Sequence, residues 1–218
     1  MFKLMRLTCW GLSTAAFMSL NAAPIILIAN GDFSLGLSSW SVEGTGGVIV
    51  KDGYMEAWRT APQGKAGVIQ SLNLDLSGYA SLYLALDVRA VDQTLIAPGW
   101  YGVEYPVEVW FNYIDTTGVA RTFARGFYYD GSGDSSAMPG IAVEQNTWYR
   151  YTSPDLLQLT QKPKTVTSVE VLGAGWIYTG DADNVQLLAD SGVPEPGTLA
   201  LMTLGLAALA FTARRIRA

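Results

Sequence analysis

The sequence predicts an all-β domain, a two-sheet sandwich or jelly roll, on three observations. Short segments alternate apolar and polar residues with the period of two that buries one face of a strand. Gly-, Asn- and Asp-rich turns separate them, and no apolar period of 3.6 lasts a full helix before Val193. The stretch 24–192 is also long enough to bury roughly 70% of its unfolded surface as one domain.

Residues 1–23 read as a secretory signal peptide. Lys3 and Arg6 supply the positive start, Leu12 to Leu20 the apolar stretch, and Ala22 and Ala23 a cleavage zone. Pro24 suits the position after a cut poorly and Ile25 to Ala29 is apolar again, so an uncleaved anchor is the alternative.

Within the domain, Leu72, Leu74 and Leu76 alternate with Ser71, Asn73 and Asp75. Leu82, Leu84, Leu86 and Val88 then face one way, with Tyr83, Ala85 and Asp87 facing the other. Val169 and Val171, then Val185 and Leu187, mark two later strands.

Val107 to Phe127 reads as a hairpin closed by the four-residue turn Asp115-Thr116-Thr117-Gly118, which pairs Ile114 with Val119. One face then sets Val107, Val109, Phe111 and Tyr113 against Gly126, Ala124, Thr122 and Ala120. The other sets Glu108, Trp110 and Asn112 against Arg125, Phe123 and Arg121. Sheets that bind sugars have this second composition, since aromatic planes take the apolar face of a ring and charged groups take hydroxyls. Ordinary cross-strand pairs, worth about 0.2–1 kcal/mol each, account for it equally. A slip of one residue would exchange the faces.

The segment Arg89 to Tyr105 is a long loop carrying Trp100 and Tyr101, placed either to stack on a sugar or to plug against the sheet. Trp40, Trp58, Trp148 and Trp176 are read as core or rim packing.

The stretch 24–192 holds nine basic and eighteen acidic side chains, a charge that repels nucleic acid. Histidine is absent, and the one cysteine, Cys9, lies in the signal segment. Cysteine nucleophiles, Ser-His-Asp triads and His/Cys zinc sites are thereby excluded from the domain. Carboxylate pairs such as Glu104 and Glu108 remain chemically open for glycoside hydrolysis, and calcium needs only oxygen ligands. Asp130 to Ser136 is oxygen-rich but lacks the closing Glu of an EF-hand loop, so it is read as solvated.

The domain opens Asn30-Gly31-Asp32-Phe33, with Trp40 following, and closes Asp183-Asn184-Val185-Gln186-Leu187. Both ends resemble galactose-binding-like jelly rolls, which include carbohydrate-binding modules. The resemblance implies that the first and last strands lie side by side. It also implies a structural calcium held by Asp183 and by backbone oxygens near Gly31 and Phe33. Strand parity turns Asp183 inward with Val185 and Leu187, where it needs a partner. Arg59 or Arg89 is the alternative to calcium, and Ser34 stands where many relatives carry a Glu.

The chain ends Val193-Pro194-Glu195-Pro196, an apolar run Thr198 to Ala213, then Arg214, Arg215 and Arg217. As a helix the run rises roughly 24 Å, short of the ~30 Å hydrocarbon core. This order resembles a PEP-CTERM sorting domain of Gram-negative bacteria. The resemblance implies recognition by an exosortase after transient anchoring in the membrane, with the arginines cytoplasmic. An ordinary C-terminal anchor is the alternative.

The sequence therefore predicts an exported, non-catalytic cell-surface or matrix protein that binds polysaccharide through Glu108, Trp110, Arg121, Arg125, Trp100 and Tyr101. A structural matrix protein without a small-ligand site is the second reading, and a carboxylate-dependent glycoside hydrolase the third.

Overall fold

In the computed structural model the chain forms two β-sheets packed face to face. Residues 23–61, 64–94, 104–131 and 138–191, together with Gly205, are described. The strands are β1 (Ile25–Ile26), β2 (Ser41–Gly44), β3 (Gly47–Lys51), β4 (Tyr54–Arg59), β5 (Gly64–Asp75) and β6 (Ser81–Gln93). They continue with β7 (Tyr105–Asp115), β8 (Ala120–Tyr128), β9 (Gly140–Ala142), β10 (Tyr149–Thr152), β11 (Pro163–Gly175) and β12 (Tyr178–Asp190). Sheet A has the order β10-β6-β12-β4-β3 with β1 added beside β12, and sheet B the order β2-β5-β11-β7-β8-β9. From β4 to β7, and again from β9 to β12, each strand crosses to the other sheet, which makes the sandwich jelly-roll-like.

Alternation builds the core. Leu82, Leu84, Leu86 and Val88 of β6 meet Val107, Val109 and Phe111 of β7 and Val166, Val169 and Val171 of β11, all buried. Each such side chain gains about 1.5–3 kcal/mol by leaving water.

The first and last strands pair, as the resemblance implies. Ile25 lies opposite Ala189 and Ile26 opposite Leu188. The clasp continues as Leu27 N donates to Leu187 O (2.9 Å) and Val185 N to Gly31 O (2.9 Å). Gln70 ties the entering chain to sheet B by bonding both the N–H and the C=O of Ala29. Asn30 organises the next loop: its side chain donates to Gly36 O and Ser38 O and accepts from Leu35 N. Its carbonyl accepts from Trp40 Nε1 (3.0 Å), and Trp40 packs 5.5 Å from Phe33.

Two expectations about facing are corrected. The β7–β8 hairpin pairs Ile114 with Ala120 and Phe111 with Phe123, one residue away from the predicted register. Asp115 stays in its strand: Asp115 N donates to Val119 O, and three residues, Thr116 to Gly118, form the turn, with Gly118 at φ 86°. That is the three-residue loop with a left-handed closing residue. The Asp115 carboxylate fixes it by accepting from Thr117 N (2.8 Å), Thr117 Oγ1 (2.5 Å), Val119 N (3.0 Å) and Arg121 Nε (3.0 Å). In β12, Asn184 takes φ 49° and the register against β6 shifts between Asp183 and Gln186. This bulge breaks the parity, so Asp183 lies opposite Asp87 on the outside while Val185 and Leu187 remain inside.

Residues 1–22 of the signal-peptide segment, the sorting residues Val193, Pro194, Glu195, Pro196, Arg214 and Arg215, and the loop residues Trp100 and Tyr101 lie outside the described residues. No helix among the described residues is long and apolar enough to cross a membrane.

The hydrogen bonds at Asp115 hold its carboxyl well below the usual carboxylate range, those from Thr117 first and Val119 next. Their stabilisation is therefore present above the unfolded value and lost as pH falls toward the folded one. Asp115→Asn should lower the urea midpoint at neutral pH, and its deficit against the parent chain should narrow progressively below about pH 4. A deficit that does not change on acidification would remove the carboxylate from the account of this turn.

Candidate functional site

The outer face of sheet B carries a buried polar network. Its rungs follow from the register: Glu170 of β11 lies opposite Trp110 of β7, Ser168 opposite Asn112, and Leu172 opposite Glu108. On the other side of β7, Trp110 lies opposite Ala124, Asn112 opposite Thr122, and Glu108 opposite Gly126. The small residues of β8 leave room. A Cβ on Gly126 would sit 2.1 Å from the Tyr105 ring, so only glycine lets that ring lie beside Glu108. Tyr105, Tyr128 and Met138 then form an apolar wall against Trp110 and Ala124.

Hydrogen bonds and ion pairs link the polar groups across five strands. Trp110 Nε1 donates to Glu108 Oε2 (2.8 Å). Asn112 Nδ2 donates to Glu170 Oε1 (2.6 Å) and Ser168 Oγ (3.1 Å), while Asn112 Oδ1 accepts from Thr122 Oγ1 (2.6 Å). Lys65 of β5 pairs with Glu43 of β2, stands 3.8 Å from Glu170 Oε2 and lies 5.8 Å from the centroid of the Trp110 ring. Three buried carboxylate oxygens, Glu43 Oε2, Glu108 Oε1 and Glu170 Oε2, have no hydrogen-bond partner among the described residues. Such atoms cost free energy unless a donor reaches them.

The same burial moves the protonation of Glu108 and Glu170. Glu108 is pushed up to about 7 by loss of water, against the pull of Trp110 and Lys65. Glu170 is raised by burial first and by its neighbour Glu43 next. Near neutral pH the Glu108 carboxyl is thus partly protonated and can donate as well as accept.

The predicted glycan residues are divided by the corrected register. Glu108 and Trp110 belong to this outer face. Arg121, Phe123 and Arg125 share the other face of β8, aligned with Tyr113, Phe111 and Val109. There Arg121 bonds Asp115, and Arg125 stacks 4.8 Å from the Phe123 ring and donates to Ala124 O. Glu104, the suggested partner of Glu108 in hydrolysis, accepts from Thr94 N (3.0 Å) and Trp176 N (3.0 Å). Two backbone amides therefore fix it as a clamp between the end of β6 and the β11–β12 turn.

At the suggested calcium site, Gly31 O accepts from Val185 N and Phe33 O from Gly36 N. Asp183 accepts from Asn184 N (2.6 Å), and Asn184 Nδ2 bridges it to Asp87 (2.8 Å). Neither arginine proposed as its neutraliser pairs with it: Arg89 bonds Asp181, and Arg59 donates to Thr45 Oγ1. Among the described residues no three His, Cys, Asp or Glu side chains are grouped to hold a metal ion.

Sequence reasoning missed Glu170, Lys65 and Glu43. Glu170 carries a legible signal, because a carboxylate between Val169 and Val171 interrupts an apolar run. Lys65 and Glu43 become neighbours only through the β2–β5 pairing.

The PEP-CTERM protein-sorting motif family matches residues 192–215. No curated protein matches the chain. Among solved structures, the chain is similar to the enzymatically active domain of bacteriophage CBA120 tailspike protein 4, with 13% identity over 76% of this chain and a TM-score of 0.47. The chain spans only 21% of that tailspike. It is also similar to a family 11 carbohydrate-binding module from Clostridium thermocellum in complex with a β-1,3-1,4-mixed-linked tetrasaccharide. That pair shows 16% identity over 77% of this chain and 96% of the module, with a TM-score of 0.44. A third similar structure is the CBM22-1 xylan-binding domain from Paenibacillus barcinonensis, with 11% identity over 78% of this chain and 98% of that one, and a TM-score of 0.42. The fold assignment itself rests on the strand pairing described above.

Because Glu108 is raised in the folded state, the folded chain binds its proton more tightly, and stability falls as pH rises from about 4.3 to about 7. Glu108→Gln, which keeps the shape and the acceptor for Trp110, should gain on the order of 2–4 kcal/mol over the parent above neutral pH and nothing near pH 4. Denaturant titrations at the two pH values measure this. Equal differences at both would refute a protonated, buried Glu108.

Proposed function

We propose that this is an exported, exosortase-sorted, non-catalytic protein of the cell surface or extracellular matrix that binds polysaccharide on the outer face of sheet B. One observation carries the reading. A half-buried indole, Trp110, donates to Glu108 and lies opposite Glu170, and each of these carboxyl groups keeps one buried oxygen with no hydrogen-bond partner among the described residues. A partly exposed aromatic plane set among polar groups suits a sugar ring, whose apolar face stacks while its hydroxyls bond at the edge. An acidic surround with one ammonium, Lys65, disfavours polymers of uronic or sulfated sugars and favours uncharged ones. The sorting motif supports an address outside the inner membrane, and the sugar ligands named for two of the similar structures agree with this chemistry.

Trp110→Ala should reduce retardation of the chain in affinity gels containing an uncharged polysaccharide, by roughly tenfold in apparent affinity. Arg125→Ala, a change on the opposite face of the same strand pair, should leave retardation unchanged. The reverse pattern would move the site off the outer face of sheet B.

A further inference from the structure

The outer face of sheet A has the same kind of construction, and the reading above does not use it. Its strand order sets two neighbouring rungs. In one, Arg89 of β6 and Glu56 of β4 flank Asp181 of β12. In the other, Arg150 of β10 lies opposite Asp87, which lies opposite Asp183. Trp148 precedes β10 and extends the first rung, while Tyr54 of β4 extends the second.

The aromatic side chains are tied to the charges. The Arg89 guanidinium lies 4.7 Å from the Trp148 ring and 5.0 Å from the Tyr54 ring, and the two rings are 5.5 Å apart, edge to face. Arg89 reaches under them to Asp181 Oδ2 through Nε (2.7 Å) and Nη2 (2.6 Å). Asp181 is fully buried, yet its Oδ1 has no hydrogen-bond partner among the described residues. Trp148, by contrast, is 40% exposed. A packing role alone would hide the indole. An ion-pair role alone would fill both oxygens of the aspartate.

We propose that Trp148, Tyr54 and the Arg89–Asp181 pair form a second saccharide platform, so that one domain holds two polysaccharide chains on its opposite faces. The ligand class rests on the reading given for sheet B, and the composition supports it independently. Trp148 offers an exposed plane backed by the Arg89 cation, which the buried Asp181 holds in place from below. Arg150 on the neighbouring rung, and Gln186 bonded to it at 2.9 Å, are further hydrogen-bonding groups. Because the sheets pack back to back, ligands on the two outer faces cannot be the same stretch of one short chain. The consequence is cross-linking.

The test uses the purified full chain in mild detergent with soluble mixed-linkage β-glucan and with xylan, read by affinity gel and by turbidity. The parent chain should retard on at least one polymer and raise its turbidity as bridges form. Trp148→Ala should weaken retardation about tenfold at that platform and abolish the turbidity while the sheet B site still binds. Trp148→Leu keeps an apolar cover over Arg89 without a ring, and should behave as Trp148→Ala does; thermal melts confirm that both remain folded. Trp110→Ala should likewise abolish turbidity and leave partial retardation. If Trp148→Ala and Trp148→Leu both match the parent while Trp110→Ala loses all binding, the second platform is overturned and the sheet B reading stands. If Trp110→Ala matches the parent and both Trp148 variants lose binding, the sheet A platform stands and the sheet B reading falls. If the parent chain retards on neither polymer, both are overturned for these ligands.

Discussion

Asp115 determines which side chains of β7 and β8 face inward. Four donors converge on its carboxylate, and they hold three residues rather than four in the turn. From that count follow the pairing of Phe111 with Phe123 in the core and of Trp110 with Ala124 outside. The polar network of sheet B depends on this pairing, since only the small side chains of Ala124 and Gly126 leave Trp110 and Glu108 room beneath Tyr105. A local electrostatic arrangement at the tip of a hairpin thus decides chemistry several residues away.

Much of the architecture was legible in the sequence. The alternation from Leu82 to Val88 gave a strand with the correct inward face, and the Asn30 to Trp40 segment and the closing Asp183 to Leu187 strand announced two ends that pair. What escaped was set by single residues at irregular points. Gly118 suits a three-residue and a four-residue turn equally, and only the hydrogen bonds of Asp115 choose between them. Asn184 inserts a bulge that no periodicity shows, so the inward carboxylate expected at Asp183 is absent and the fully buried one is Asp181. Trp148, grouped with the packing tryptophans, emerges as exposed as many surface residues because its cation partner comes from β6, far away in sequence.

The two outer faces share an energetic signature. Each buries a carboxylate oxygen without a donor, at a cost to the stability of the free domain. The presence of Glu108, Glu170 and Asp181 marks places where local rules of stability are broken, and removing Asp181 alone would add a second cost by leaving Arg89 without its ion-pair partner. The compensating interactions are partial: Trp110 satisfies one oxygen of Glu108, Asn112 one of Glu170, and Arg89 one of Asp181. In each case one lone-pair direction is left over.

The position of β12 bears on how the domain carries load. This strand lies between β6 and β4 within sheet A, receives β1 along its last residues, and ends at Asp190, just ahead of the sorting motif. Tension applied at the end of β12 would therefore run along an interior strand. The bonds of an antiparallel ladder lie across the strand axis, so such tension stresses the rows shared with β6, β4 and β1 together, in shear. A tail attached to an edge strand such as β3 would instead open its row one bond at a time. The clasp formed by Ile25 and Ile26 reinforces the ladder where force arrives. In mechanical terms, a load applied at the end of β12 would be shared by several rows of bonds at once.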